Sequence, residues 1–428
     1  MINLSNKIFF ILLLFFPLSV LIGPSISLIN IVITSAMYLY FFLKFKHYNF
    51  LLKDKTVRLL IFLYLYLVFN TIISLSIENS IYRNLGFIRF VLFFLAINYI
   101  FFAIKTNTKI FFIWTIIFLI FIFDVYFERF SGANIFGWGA PTINGVPQPH
   151  ADRIVSFFKD EPIAGAFING FMFIILGYLL NVLKNKKYRN IIFLITILIF
   201  FSAVLITGER SNTLKVLFGL ILLVCLIDIF DFKSKITFFI VLPILIVIVV
   251  NNSDYLKNRY IGQIFSKIYT EKNLEYFENN IYIKLYKSGF EVFKNNPLTG
   301  VGNKNYRVET CSHKNKFKKN DYFCTTHPHQ IYFEFLAEHG FVGIILLLYI
   351  FFKLIFKNLR EIIGSQNYLQ IGAFTFLISN FLPLLPSGAF FSDFNISLFI
   401  LNLSILYAVN EKTNIFFIKE NKNDIFKI

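Results

Sequence analysis

The residues with the most chemical potential stand at the edges of apolar runs. His327-Pro328-His329-Gln330 leads directly into the apolar stretch from Ile331. Proline suits the first turn of a helix, where its missing N–H would be orphaned anyway, and Thr325 or Thr326 can cap such a helix. His329 then falls in the first turn, where the positive end of the helix dipole disfavours an imidazolium. A neutral imidazole accepts a proton, which suits a general base. Taken alone, the pair would equally be two polar side chains of an exposed loop.

Four other segments carry comparable signals. The turn Thr207-Gly208-Glu209-Arg210-Ser211-Asn212 holds a guanidinium, which binds phosphate bidentately and stays charged. Its partner is either Glu209 or another carboxylate, or an anionic headgroup. Arg259, in Lys257-Asn258-Arg259-Tyr260, offers a second phosphate contact or is a solvated cation. The stretch from Arg153 through Asp160, Glu161 and Pro162 reads as a cradle for a sugar-bearing substrate, or as acidic residues favouring the start of a helix. In Asn296–Asn303, a Gly-x-Gly turn either presents backbone N–H groups to an anion or is a plain turn.

The elements that must position these residues are membrane helices. The chain has 428 residues, 57% hydrophobic and 15% charged. Soluble domains carry about 45–50% apolar and about 25% charged residues, so an ordinary soluble protein, a disordered chain and a disulfide scaffold are all excluded. A crossing needs roughly 20 apolar residues. Twelve runs qualify, near 7–22, 26–43, 57–77, 85–104, 110–128, 163–183, 191–207, 213–230, 236–251, 338–356, 367–386 and 394–409. The first is read as a retained span, because a second follows at once through Gly23-Pro24 with no small-residue cleavage site. The fold class is therefore an all-α polytopic membrane protein with about 12 spans. A multispanning domain over 1–410 is followed by a polar tail, 411–428.

The net charge of +17 sits in short clusters between apolar runs, a pattern that membrane topology requires and nucleic-acid binding does not. Lys44, Lys46, Lys53, Lys55, Arg58, Lys105, Lys109, Lys184, Lys186, Lys187, Arg189, Lys233, Lys235, Lys357 and Arg360 all fall in one set of alternate loops. The positive-inside rule puts that set, both termini and the tail in the cytoplasm. The long loops, about 129–162 and 252–337, then face the periplasm or exterior, the larger lying between spans nine and ten. Within it Tyr255, Ile261, Ile264, Phe265 and Ile268 recur at helical spacing, which suggests a helix lying on the membrane. Cys311 and Cys324 share this loop, and an oxidising compartment would let them pair around His313, Lys314, Lys316, Lys318 and Lys319. Cys225 is expected to pack within a span. The histidine pair lacks a third ligand at metal spacing, and no nucleotide-binding loop is present.

Taken together the motifs resemble those of O-antigen ligases. His329-Gln330, nine residues, Gly340, two residues and Gly343 resemble that family's H-[NSQ]-x9-G-x-x-[GTY] signature. Arg210-Ser-Asn-Thr-Leu214 resembles its R-x3-L turn, and Lys159–Ala166 resembles the corresponding loop of bacterial members. The resemblance implies a glycosyltransferase of the bacterial inner membrane, using neither metal nor nucleotide cofactor. It would move a glycan from undecaprenyl diphosphate to a sugar hydroxyl of lipid A–core at the periplasmic face, and membrane lipid would surround the donor's tail. It assigns catalysis to His329, as general base, and to Arg210, which holds the donor diphosphate, and by topology alone adds Arg259 to donor binding. His327, Arg153, Glu161 and Arg89 are substrate-binding candidates. Glu334 and Glu338 are expected as helix-surface groups or hydrogen-bond partners.

A chain-extending polymerase with the same donor is the alternative. Polymerases often carry paired R-x15-G loops; here sixteen residues beyond Arg153 stands Asn169, and beyond Arg259 stands Glu275, which favours the ligase. A non-enzymatic lipid-glycan transporter would need functional charges buried mid-span. Arg89, inside the fourth run, is the main one, and it equally could point toward the same headgroup pocket.

Overall fold

The computed structural model describes residues 2–103, 107–139, 142–143, 146–147, 153–159, 161–262, 280–312 and 321–417. Every predicted apolar run lies on helix. The chain opens with α1 (Ile2–Leu14), α2 (Phe16–Ile22) and α3 (Pro24–Lys44), with prolines in the first turns of α2 and α3. Next come α4 (Lys55–Ile72), α5 (Ile77–Leu85), α6 (Ile88–Ala103) and α7 (Asn107–Ser131). Then follow α8 (Ala164–Leu183), α9 (Arg189–Ile206), α10 (Arg210–Leu226) and α11 (Phe232–Asn251). After the long loop stand α12 (Ile281–Asn295), α13 (Ile331–Phe356), α14 (Tyr368–Ser379) and α15 (Asp393–Ala408). A two-residue hairpin pairs Thr142–Ile143 with Val146–Pro147.

Among the described residues, eight helices are long and apolar enough to cross a membrane. The other four predicted spans are shorter: the broken α1–α2 pair, α10 with 17 residues, α14 with 12 and α15 with 16. α14 and α15 are buried nearly all round, so much of their surroundings is protein, where irregular backbone at their ends can be satisfied. By contrast α11 buries little more than Phe238, Leu242 and Val250, and turns Ile240, Ile244, Val247 and Ile248 outward. Because lipid is as apolar as a side chain, helix association relies on close packing and polar ties. Asn402 Nδ2 joins α15 to Gly170 O of α8 at 3.0 Å, and Asn30 Nδ2 joins α3 to Leu12 O of α1 at 3.0 Å.

The bundle has two unlike ends. At one, Lys357 after α13 lies 3.8 Å from Asp54, whose side chain caps α4 by accepting from Thr56 N at 2.7 Å. The lysine clusters after α3 and α8 and at the start of α11 belong to this end by chain alternation. At the other end the first turns of α3, α8, α10, α13 and α15 line one cavity.

Several expectations change here. The tail does not begin at 411, since Thr413, Asn414, Ile415 and Phe416 are buried. Asn414 Nδ2 donates to Asn98 O at 3.0 Å, and Phe416 packs against Tyr38, His47, Tyr99 and Phe102. Residues 418–428 lie outside the described residues. Cys225 does not pack but is exposed on α10. Cys311 and Cys324 are bonded to each other. Tyr255 and Ile261 lie in short helical turns, Asp254–Lys257 and the π-helical Asn258–Gly262. Ile264, Phe265, Ile268 and the cationic stretch His313, Lys314, Lys316, Lys318 and Lys319 lie outside the described residues.

Candidate active site

The segment 329–343 shows why its residue types recur at that spacing. Helix α13 starts at Ile331, later than the proline implied. Its cap is Gln330, whose Oε1 accepts from Tyr332 N at 2.8 Å and Phe333 N at 3.0 Å. Thr325, Thr326 and Pro328 therefore do not start the helix. An amide oxygen two residues closer satisfies its first donors. His329 lies just outside, with φ +56, and its carbonyl accepts from Ser387 N at 2.8 Å.

Eleven residues beyond His329, α13 breaks at Gly340, which has φ +66 and ψ −170. The segment 297–302 inserts its backbone there. Val301 N donates to Ala337 O at 3.0 Å and Gly302 N to Glu338 O at 2.9 Å, while Phe341 N donates to Pro297 O at 2.8 Å. A Cβ on Gly340 would meet Leu298 backbone at 2.5 Å. The Gly-x-Gly turn is thus spent on helix backbone and not on an anion. At Gly343 a Cβ would overlap the Tyr66 hydroxyl and His339, so glycine there admits the 3.1 Å contact between Tyr66 OH and His339 Nδ1.

The cavity at this end has a volume of about 910 Å³. His327, His329, Arg210, Arg259, Arg153 and Glu161 all line it. The rings of His327 and His329 stack with centroids 3.9 Å apart. His327 is engaged through Nδ1 with Thr326 Oγ1 at 3.0 Å and through Nε2 with Ser387 O at 3.4 Å. Burial pushes His327 down to about 3 and also lowers His329 below the ordinary imidazole value. Desolvation penalises the charged ring, and both imidazoles line the cavity wall.

Arg210 opens α10, and Glu209 caps it in sequence but does not pair with it. The Glu209 carboxylate accepts from Gly165 N at 2.5 Å and from Asn212 Nδ2 at 2.7 Å. Burial raises Glu209 to about 7. Arg210 Nη1 instead donates to Arg259 O at 3.5 Å, and Arg259 Nε donates to Gly208 O at 3.1 Å. Ile154 N donates to Thr207 O at 3.2 Å, which brings the Arg153 strand beside the same turn. Three guanidiniums thus share one wall, each acting electrostatically on Arg210 or belonging to it. Such a fork array fits a diphosphate.

Glu161 is exposed at the cavity rim; Asp160 lies outside the described residues. Arg89 is corrected: it does not line the cavity. It begins α6 after a helix break at 86–87, not mid-span, and its Nη2 binds Asp393 Oδ1 at 2.9 Å. Asp393 does line the cavity and also holds Arg83 Nη1 at 2.6 Å. Glu334 accepts from Phe390 N at 3.0 Å and Glu338 from Tyr306 N at 3.3 Å, so both are buried backbone partners.

Sequence reasoning missed Arg83, Lys304, Lys215 and Asp393 on the cavity wall. A signal existed for two of them. Arg83 is a cation on the cation-poor side, and Asp393 is an acid in a turn otherwise without charge. Lys215 is buried one turn beyond Arg210, and Lys304 sits in a loop whose course depends on distant partners.

Residues 193–348 match the family model described as O-antigen ligase. The matched stretch contains Arg210, Arg259, Lys304, His327 and His329. No curated protein matches the chain.

Proposed function

We propose that this chain, whose residues 193–348 match the O-antigen ligase family model, is a multi-pass membrane glycosyltransferase of that type and transfers a glycan from undecaprenyl diphosphate to a sugar hydroxyl of lipid A–core at the periplasmic membrane face. The observation that carries this reading is the shared cavity. It gathers an imidazole without a hydrogen-bond partner among the described residues and the guanidiniums of Arg210, Arg259 and Arg153.

The lipid diphosphate is already a good leaving group. Arg210, Arg259 and Arg153 would hold it and offset the charge that grows as the anomeric C–O bond breaks. His329 takes the proton from the acceptor hydroxyl, whose oxygen attacks the anomeric carbon from the face opposite the diphosphate. One displacement inverts the configuration and leaves undecaprenyl diphosphate. The lipid tail lies along the apolar flank of the bundle, and the two outer loops cover the glycan. The lysine clusters lie at the opposite end, which supports an outward-facing site.

The test uses the full chain in liposomes with the lipid-linked glycan. Release of lipid diphosphate only when lipid A–core is added is the expected result. Release accompanied by lengthening of the lipid-linked glycan alone would instead identify a polymerase, and flipping without bond cleavage a transporter.

A further inference from the structure

Lys304 has φ +66, a left-handed backbone that glycine adopts without penalty and a side chain does not. The loop around it is nevertheless anchored by buried polar groups. Asn303 N donates to Asn70 Oδ1 at 2.8 Å, and Asn303 Nδ2 donates to Asn84 Oδ1 at 2.6 Å. Ser80 Oγ donates to Asn303 O at 2.7 Å, and Asn305 Nδ2 donates to Ser80 Oγ at 2.7 Å. The Glu338 carboxylate accepts from the backbone N–H groups of Lys304 and Tyr306. Asn70, Ser80, Asn84, Asn303 and Asn305 are all buried. A buried network this dense holds its loop firmly, and breaking it is costly.

What the network presents to the cavity is the Lys304 side chain, whose charge acts on His327. Among the described residues no carboxylate lies within ion-pair distance of it. Glu334 and Glu338, the acids that feel its charge, are turned to backbone N–H groups. Arg83, on the adjacent α5, lines the same wall with its Nη1 on Asp393. The cavity therefore has a second set of cations, carried on α5 and the 300–305 loop, which Ser80 and Asn303 tie together.

We propose that Lys304 and Arg83 form a second anion subsite, which binds a phosphate or carboxylate substituent of the acceptor glycan. This rests on the transferase reading. The Arg210 wall takes the leaving diphosphate, so the acceptor enters from the opposite face of the anomeric carbon, past His329. Lys304 and Arg83 are the cations on the histidine side.

The experiment uses the full chain in nanodiscs with the lipid-linked donor and pairs of acceptors. One pair differs by a single phosphate and another by reduction of a carboxyl group. The wild type prefers the anionic member of one pair, which identifies the source of the charge. Lys304→Gly, which suits the left-handed backbone, lowers the anionic-over-neutral ratio of kcat/KM about tenfold, the scale of one charge-assisted contact. Lys304→Arg restores most of it. An unchanged ratio in Lys304→Gly overturns the subsite. Binding of glucose 1-phosphate supplies an independent reading, expected to weaken in Lys304→Gly and to persist in Arg210→Ala; the reverse pattern also overturns it. If the wild type transfers to no acceptor, the transferase reading fails, while glucose 1-phosphate binding still decides the subsite.

Discussion

The two cationic walls of the cavity are built in opposite ways. Around Arg210 the guanidiniums sit on short turns, where Arg210 and Arg259 donate to the backbone carbonyls of Arg259 and Gly208. Around Lys304 the backbone is clamped by a buried network of asparagines, serine and Glu338, and wedged into the broken helix α13. The difference teaches how each wall responds to mutation. The first is expected to lose function when a side chain is cut and to keep its fold. The second can lose its fold when a backbone contact is obstructed, far from any charged group.

The largest break is expected at the lip between the walls. His329→Ala should lower transfer about a thousandfold, the scale of a positioned base, while donor binding persists. Single-turnover transfer and donor affinity, measured together, check this; full activity in the variant would falsify the base assignment. Arg210→Ala should cost about a hundredfold in kcat/KM and raise the donor KM. Arg210→Lys should recover little, because an ammonium cannot make the bidentate contact. A donor KM left at the wild-type value would remove Arg210 from the donor wall.

On the clamped wall, Gly340→Ala should destabilise the protein by about 2–3 kcal/mol, read as a lower Tm in detergent. Arg210→Ala should leave that Tm nearly unchanged. Equal Tm values for the two variants would erase the contrast. The smallest effect concerns pH. Burial lowers the His329 pKa, and the base works only when neutral. Activity should thus persist as pH falls through about 6.5, the ordinary imidazole value, and drop only below it. An acid limb of kcat/KM centred above 7 would contradict a desolvated His329.

Much of the architecture was legible in the residue string. Each of the twelve apolar runs carries helix, eight of them long enough to cross a membrane, because a stretch of that polarity has few alternatives in lipid. Lysine clusters marked one end of the bundle, and Arg210, as a cation on the poorer side, marked the other. The errors share one cause. Gln330 displaced the threonines as cap, Gly300–Gly302 was spent on α13, and Arg89 was captured by Asp393, 304 residues away. Each outcome was decided by a partner remote in the chain. Phe416 escaped the tail for the same reason, since a short apolar run after a polar break shows its partners only when its pocket is seen.

Composition and periodicity alone settled that this chain is a bundle of membrane helices, since apolar length and the placement of lysine are local properties. Local residue types also nominated an imidazole and a guanidinium. Their meeting at one cavity, the break at Gly340 and the presentation of Lys304 were decided by tertiary structure. Those features depend on which backbone groups approach one another across hundreds of residues, and on which buried polar atoms remain to be satisfied when they do.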